Sequence, residues 1–295
     1  MTRRRNRTKK TKHNKTYKKS HCAPNIIKDG SMTCFSDKKL LHMRNYWNSR
    51  HPDAKIKTKD THKIWQLLRK YMSGICDTER CWLKQKFIAD SGDADLLNYT
   101  FVPESPQSWK HNPNEWLTST DIENVMRQYE RAYPCFKFLG PSPIDFDKKK
   151  SRGKCVWDEL CYFNLKSFIH KGCNKIGIIF NTDPHYLDGS HWISVFINIK
   201  KKYVYFFDSV GDPAPEEVNV LIKRIIDQAK DFGIEMQRYD NTLKHQKSNT
   251  ECGMYCLYFI IQSLKDIHTE KNMSERIPDK EMERFREIYF NPVNI

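Results

Sequence analysis

Residues 244–264, KHQKSNTECGMYCLYFIIQSL, constrain this chain most. Met254, Tyr255, Cys256, Leu257, Tyr258, Phe259, Ile260 and Ile261 follow one another without a charged break. A run apolar on every side is too dense for a surface helix and reads as a buried one, so the fold must be built around it. The turn formers Ser248, Asn249 and Thr250 come just before and favour a helix start there. Cys252 then falls in the first turn, among backbone N–H groups without intrahelical partners. The partial positive charge of a helix N-terminus favours thiolate over thiol, which makes Cys252 a candidate nucleophile. Gly253 leaves room for a substrate to approach the backbone. Cys256, one turn further in, reads as a small core residue.

A cysteine nucleophile needs a base and a group that orients the base. Gly189, Ser190, His191 and Trp192 open the apolar run 193–197, and Tyr203 to Phe207 is a second run that closes on Asp208. Lys200, Lys201 and Lys202 form a short link, so the two runs pair as a hairpin. The start of one strand then lies beside the end of the other, which brings His191 and Asp208 to one sheet edge. Asp208 is placed to fix the imidazole tautomer and stabilise imidazolium, as the acid does in serine-type triads. Gln246, six positions before Cys252, offers a side-chain N–H to an oxyanion alongside the backbone N–H of Cys252. Trp192 serves either as core packing or as a wall over a bound chain. His245 is a weaker candidate base. His170, His185 and His268 have no acidic partner that the sequence places.

Charge and cysteine usage narrow the function further. The chain of 295 residues carries a formal net charge of +15, and ten cations fall within residues 1–20 with no acid among them. Such a segment has little to bury and is expected to be disordered. It reads as a solubility tail, a nuclear address, or a tether to nucleic acid or an acidic surface through counterion release, and its one-sign density favours the tether. The apolar fraction of 38% is low, and 13% aromatic residues compensate, so a core is feasible. No apolar run approaches the roughly 18 residues of a membrane span. The basic N-terminus has no apolar segment behind it, unlike a secretory signal. Ten cysteines are spread too unevenly for a secreted disulfide scaffold, so reduced thiols in a reducing compartment are expected. Cys76 and Cys81 make a poor zinc set, because no CxxC or HxxxH pair completes them. No metal or organic cofactor is expected, and the oligomeric state is left open.

The remaining periodicity sets the architecture. Residues 62–72 carry a helical stripe of Ile64, Trp65, Leu68, Tyr71 and Met72, and a second helix runs from about Cys81 to Ile88. Pro103, Pro106 and Pro113 mark a linker or strap. Thr120 with Glu123 fits a capping box for a helix that buries Ile122, Val125, Met126 and Tyr129. Residues 141–154 read as loop, 160–169 as helix, 176–180 as strand, 216–232 as helix, 236–239 as a last strand and 279–290 as a final helix. The division expected is a disordered basic tail over 1–20, an N-terminal helical extension and linker over 21–110, and a catalytic core over 111–295. The order of elements predicts an α+β core with a mostly antiparallel sheet and helices on its faces.

His-Trp after a Gly-Ser turn, Asp-Ser at a strand end, and Gln-x5-Cys-Gly opening a helix form a pattern. It resembles the ubiquitin-like-protein-specific and adenovirus-type cysteine proteases. HQKSNTECG is most similar to the polyprotein proteases of large DNA viruses, African swine fever virus included. The resemblance spans roughly Trp116 to the C-terminus, and WLTSTDI resembles the helix start that opens such cores. It implies His191, Asp208, Cys252 and Gln246 as catalytic residues and Trp192 and Gly253 as substrate-binding ones. It further implies a tunnel under Trp192 that admits slim residues, hence Gly-Gly-x sites in a protein substrate, and action in the virion and host cytoplasm during maturation. Two other readings stay open: a deconjugase for a ubiquitin-like modifier, and an inactive basic binding protein.

Overall fold

The computed structural model describes residues 20–24, 32–150, 153–267 and 275–292. The basic run expected to be disordered lies outside the described residues up to position 19, and so does His268. The chain divides into two compact units with the main boundary between Phe101 and Val102, and Ala23 and Pro24 group with the second.

The first unit is helical. Its helices are α1 (Asp37–Arg50), α2 (Thr61–Met72), α3 (Glu79–Leu83), α4 (Lys86–Ala89) and α5 (Ala94–Asn98). Each long helix starts on a side-chain cap: Ser36 accepts from Lys39 N, and Asp60 from Lys63 N. Met43, Ile64, Leu68, Trp82, Ile88 and Leu96 form a dry centre. α1 went unforeseen because Leu40, Met43 and Trp47 are diluted by cations and asparagines. The helix expected over 81–88 is two short ones, broken between Leu83 and Lys86.

In the second unit, short apolar runs buried on both faces build the sheet. Its strands are β1 (Phe136–Pro143), β2 (Lys175–Asn181), β3 (Trp192–Asn198), β4 (Tyr203–Phe207) and β5 (Gln237–Asp240), in that spatial order. β2, β3 and β4 pair antiparallel, and β1 and β5 join the two edges in parallel. Ile193, Val195 and Ile197 point to one face, Trp192 and Phe196 to the other. On the first face lie α7 (Asp158–Cys161), α8 (Leu165–His170) and α9 (Glu216–Lys230). On the second lie α6 (Ser119–Ala132), α10 (Cys252–Leu264) and α11 (Asp279–Tyr289). α10 is the fully buried helix that its composition demanded. It closes on β2 at Gly177, where an added Cβ would stand 2.8 Å from Ile260 Cγ2.

Three local expectations shift. The capping box uses Thr118 and Asp121, two residues before the expected Thr120 and Glu123; both spacings occur, and the earlier one starts the helix. β1 is unforeseen, and its last residues fall in the loop expected over 141–154, because Gly140, Pro141 and Pro143 interrupt its pattern; at a sheet edge, prolines are tolerated. The helix expected over 160–169 breaks at Asn164, whose side chain caps α8 by accepting from Ser167 N.

The cysteines depart furthest from expectation. Cys22 bonds Cys34, Cys76 bonds Cys81 and Cys155 bonds Cys161, so reduced thiols throughout is corrected to four free cysteines: Cys135, Cys173, Cys252 and Cys256. Spacing along the chain could not show this, because the fold brings those Cα atoms to 5.3, 5.5 and 6.2 Å. The disulfide also removes Cys76 and Cys81 as metal ligands. Among the described residues, no helix is long and apolar enough to cross a membrane, and no group of three His, Cys, Asp or Glu is placed to hold a metal.

Candidate active site

Cys252 is the first residue of α10 and is 1% exposed. The first bond of the helix ladder runs from Tyr255 N to Glu251 O at 2.9 Å, so the N–H groups of Cys252, Gly253 and Met254 stand ahead of it. The expected cap over 248–250 is not what starts this helix. Glu251 is the N-cap, without a side-chain cap bond.

The β3–β4 register pairs Ser194 with Phe207, which sets Asp208 opposite Ile193 at the sheet edge from which His191 enters. His191 Nε2 lies 2.8 Å from Asp208 Oδ1, and the same oxygen accepts from Val210 N at 2.9 Å. Cys252 lies close enough to His191 to act on the ring's charge. Nε2 is committed to Asp208, which leaves Nδ1 free to serve the thiol. Burial disfavours the imidazolium, yet the hydrogen bonds and charges of Asp208 and Cys252 outweigh it, and the His191 pKa is pushed up to about 10. The ring is therefore a cation at neutral pH. Cys256 has the opposite fate: full burial pushes its thiol well above the ordinary value, which keeps it inert.

Gln246 is brought to the same region through Ser209. Gln246 N donates to Ser209 O at 2.8 Å, and Ser209 Oγ donates to Gln246 Oε1 at 2.7 Å. Gln246 Nε2 donates to Ser248 O at 2.7 Å, which engages one of its two amide hydrogens. His245 is fully buried. Its Nδ1 accepts from Ile277 N at 3.1 Å, and Nε2 faces Asn241 Oδ1 at 3.2 Å. It is a structural residue and not a second base. Asn241 in turn donates to Asp208 O and Leu243 O, so it holds the peptide that carries the acid. Trp192 is 6% exposed, and its indole N–H donates to Leu117 O at 3.0 Å. Gly253 is packed by the chain's own side chains: a Cβ there would stand 3.0 Å from Leu117 Cβ and 3.2 Å from Trp192 Cδ1. Its smallness thus serves the packing of α10 first.

Glu251 and Arg286 escaped the sequence reading. Arg286 Nε and Nη2 reach the two Glu251 oxygens at 2.9 and 3.1 Å, and Nη2 also donates to Glu115 O at 2.8 Å. Both side chains are buried. The pair ties α11 to the residue just before Cys252. A signal existed: Arg286 stands at helical spacing between Met282 and Tyr289, on the inward stripe. His185, left without a partner, pairs Asp145 at 2.8 Å; the two lie 40 residues apart. His170 ends α8.

A cysteine sulfur beside an imidazole that can hold its proton, with a carboxylate behind the ring and N–H donors at a helix mouth, is equipped for nucleophilic attack on a carbonyl. Residues 110–294 match the Ulp1 protease family, C-terminal catalytic domain. Over 289 residues, 91% of this chain and 92% of the relative, the sequence is 27% identical to a chain named as a thiol protease in Acanthamoeba polyphaga mimivirus. Over 254 residues, 81% of this chain and 91% of the relative, it is 26% identical to a SUMO-1 cysteine protease of African swine fever virus. The likeness therefore reaches into the first hundred residues, where the sequence motifs alone showed none. A crystal structure of the African swine fever virus protease shares the fold, with a TM-score of 0.67 at 23% identity over 93% of this chain and 96% of that one. With well over half its length matched, the chain belongs to the Ulp1 protease family and is a cysteine peptidase.

Proposed function

We propose that Cys252 is the nucleophile, His191 its proton partner and Asp208 the group that orients the ring. The observation that carries this is one imidazole shared between Asp208 and the only thiol at the mouth of α10. With its proton held by His191, the Cys252 thiolate attacks the scissile carbonyl carbon, and the carbonyl electron pair moves to oxygen. The Cys252 N–H and the second amide hydrogen of Gln246 receive that charge. The tetrahedral adduct collapses, the C–N bond breaks, and His191 gives its proton to the leaving amine. Water then attacks the thioester, with His191 taking the water's proton, and the acid and thiolate are released.

The substrate is a protein cut after Gly-Gly. Trp192 and Leu117 crowd the chain beside Cys252, which supports a preference for residues without bulky side chains. In viral relatives of this kind we place the enzyme in the virion and host cytoplasm, acting on structural polyproteins during maturation. The ten cations of residues 1–20 serve as a tether to nucleic acid or an acidic surface. A second reading, removal of a ubiquitin-like modifier, is favoured by the similarity to the SUMO-1 cysteine protease of African swine fever virus.

Purified full-length protein should cut a library of Gly-Gly-x peptides after the second glycine, read by mass spectrometry. Cys252→Ala should abolish cutting while leaving the melting temperature in place. Cutting that survives Cys252→Ala would sink the assignment. Much faster cutting of a modifier fusion than of any peptide would favour the second reading.

A further inference from the structure

The loop over residues 182–190 leads from β2 into His191, and it is pinned along its length. Thr182 N donates to His191 O at 2.9 Å. Asn181 Oδ1 accepts from Asp183 N at 2.9 Å and from Ser190 N at 3.3 Å, and Ser190 Oγ donates to Asp183 Oδ1 at 2.8 Å. Asp145 fixes the middle: it accepts from His185 N at 2.9 Å and pairs His185 Nδ1 at 2.8 Å. Leu187 N turns back onto Pro184 O at 3.0 Å.

These bonds order the loop backbone on either side of Tyr186 and Leu187. Yet Tyr186 is 66% exposed and Leu187 56%. Single exposed apolar residues are ordinary. Two adjacent ones on a pinned loop, next to a reactive centre, are not. Leu187 is four residues before His191, so their Cα atoms lie within about 14 Å of each other. Lys148 Nζ stands 5.4 Å from the centroid of the Tyr186 ring and sets a cation at the rim of the patch.

We propose that Tyr186 and Leu187 determine specificity, as pre-organised anchors for an apolar side chain of the protein substrate beyond the scissile bond, with Lys148 receiving an acidic neighbour. This rests on the reading of the site as a protein-cleaving centre, and continuity with that centre is what names the occupant. Anchors already ordered before binding lose little conformational freedom when they are covered. An aromatic flanked by an apolar residue suits such a contact. The rim cation adds a charge preference that salt screens.

Two probes test this on the full chain. One is a library of long peptides with a central Gly-Gly bond and randomised flanks. The other is a fluorogenic Gly-Gly reporter too short to reach the loop. Wild type should enrich an apolar residue at one flank position with an acid beside it. Tyr186→Ser with Leu187→Ser should erase the apolar enrichment. It should also raise KM for the preferred long peptide roughly tenfold, about 1.4 kcal/mol, at unchanged kcat. The short reporter should be cut equally by both proteins. Lys148→Glu should reverse the acidic preference and keep the apolar one. Identical enrichment in wild type and double variant overturns the proposal while cleavage itself stands, and so does a parallel loss on the short reporter. If wild type cuts neither probe, the cleavage reading falls first and this one with it.

Discussion

Under α9 the sheet buries Ile193, Val195, Ile197, Val204 and Phe206, and α9 answers with Val218, Leu221, Ile222 and Ile225. Under α10 the same strands turn Trp192, Phe196, Tyr203, Tyr205 and Phe207 the other way, and this side carries Cys252. Nearby, Asp208, Ser209, Asn241, His245, Gln246, Glu251 and Arg286 are all buried. A buried polar group costs stability unless its bonds are made, so this side needs a complete network where the other needs only volume. Most of the bonds are there: Asn241 on the Asp208 peptide, Ser209 on Gln246, Arg286 Nε and Nη2 on Glu251, while Arg286 Nη1 and Ser194 Oγ are buried without a hydrogen-bond partner among the described residues. One face holds the sheet together by apolar burial, and the other holds reactive groups in place by hydrogen bonds.

Asp208→Asn should show that contrast most strongly. Asparagine keeps the shape and removes the charge behind the ring. The folded pKa of His191, about 10, lies above the ordinary 6.5. The imidazolium's contribution to stability is therefore fully present below pH 6.5 and fades as pH rises through about 10. In the variant, burial still acts to lower the pKa while part of the opposing pull is gone. The alkaline limb of kcat/KM should move down toward 6.5, and kcat should fall roughly 10⁴-fold, as for amidation of the acid in a serine-type triad. A limb that stays in place would mean Asp208 does not hold the proton.

Next in size is Arg286→Met. It strands a buried carboxylate, since burial already pushes the Glu251 carboxyl above its ordinary value while Arg286 pulls it down. Loss of one partner of such a pair costs about 3–5 kcal/mol. Urea unfolding should show that loss, and Arg286→Met with Glu251→Leu should recover much of it. A single variant within about 1 kcal/mol of wild type, the range of an exposed ion pair, would remove this clamp from the polar network.

The two sides were also unequally legible in the sequence. The apolar one could be read from local pattern alone: the short apolar runs 193–197 and 203–207 read as strands, and the stripe Val218, Leu221, Ile222, Ile225 as a helix face. The hairpin was legible too, since a short link between two apolar runs forces antiparallel pairing and sets His191 near Asp208. Contacts made across the fold were not. Nothing local ties Glu251 to Arg286, 35 positions on, or Asp145 to His185, 40 positions on. Gln246 was found by its spacing, but its bonds to Ser209 and Ser248 depend on a loop path that no period records. β1 was hidden because its Gly and Pro residues obey an edge-strand exception and not the strand rule.

Gln246→Ala sharpens the same contrast from within the polar side. If its amide serves the oxyanion, kcat should fall about 10²- to 10³-fold, some 2.7–4 kcal/mol, with KM little changed. If it serves only to tie Ser209 to Ser248, the loss should appear in the melting temperature and not in kcat. Steady-state kinetics beside a thermal melt decides which.

Ile225→Val is the smallest change and the cleanest check on the apolar side. Ile225 is fully buried in α9, and the substitution removes one methylene from a layer that has no polar partner to lose. The expected cost is about 0.5–1.5 kcal/mol in urea unfolding, with kcat, KM and the alkaline limb unchanged. A shift of the limb would be the more instructive result. The sheet is one strand thick, so Val195 and Phe206 on the α9 face share β3 and β4 with the residues that lead to His191 and Asp208. A repacking that moved those strand ends by a fraction of an ångström would lengthen the 2.8 Å bond between ring and carboxylate. The two sides would then be coupled through the sheet itself.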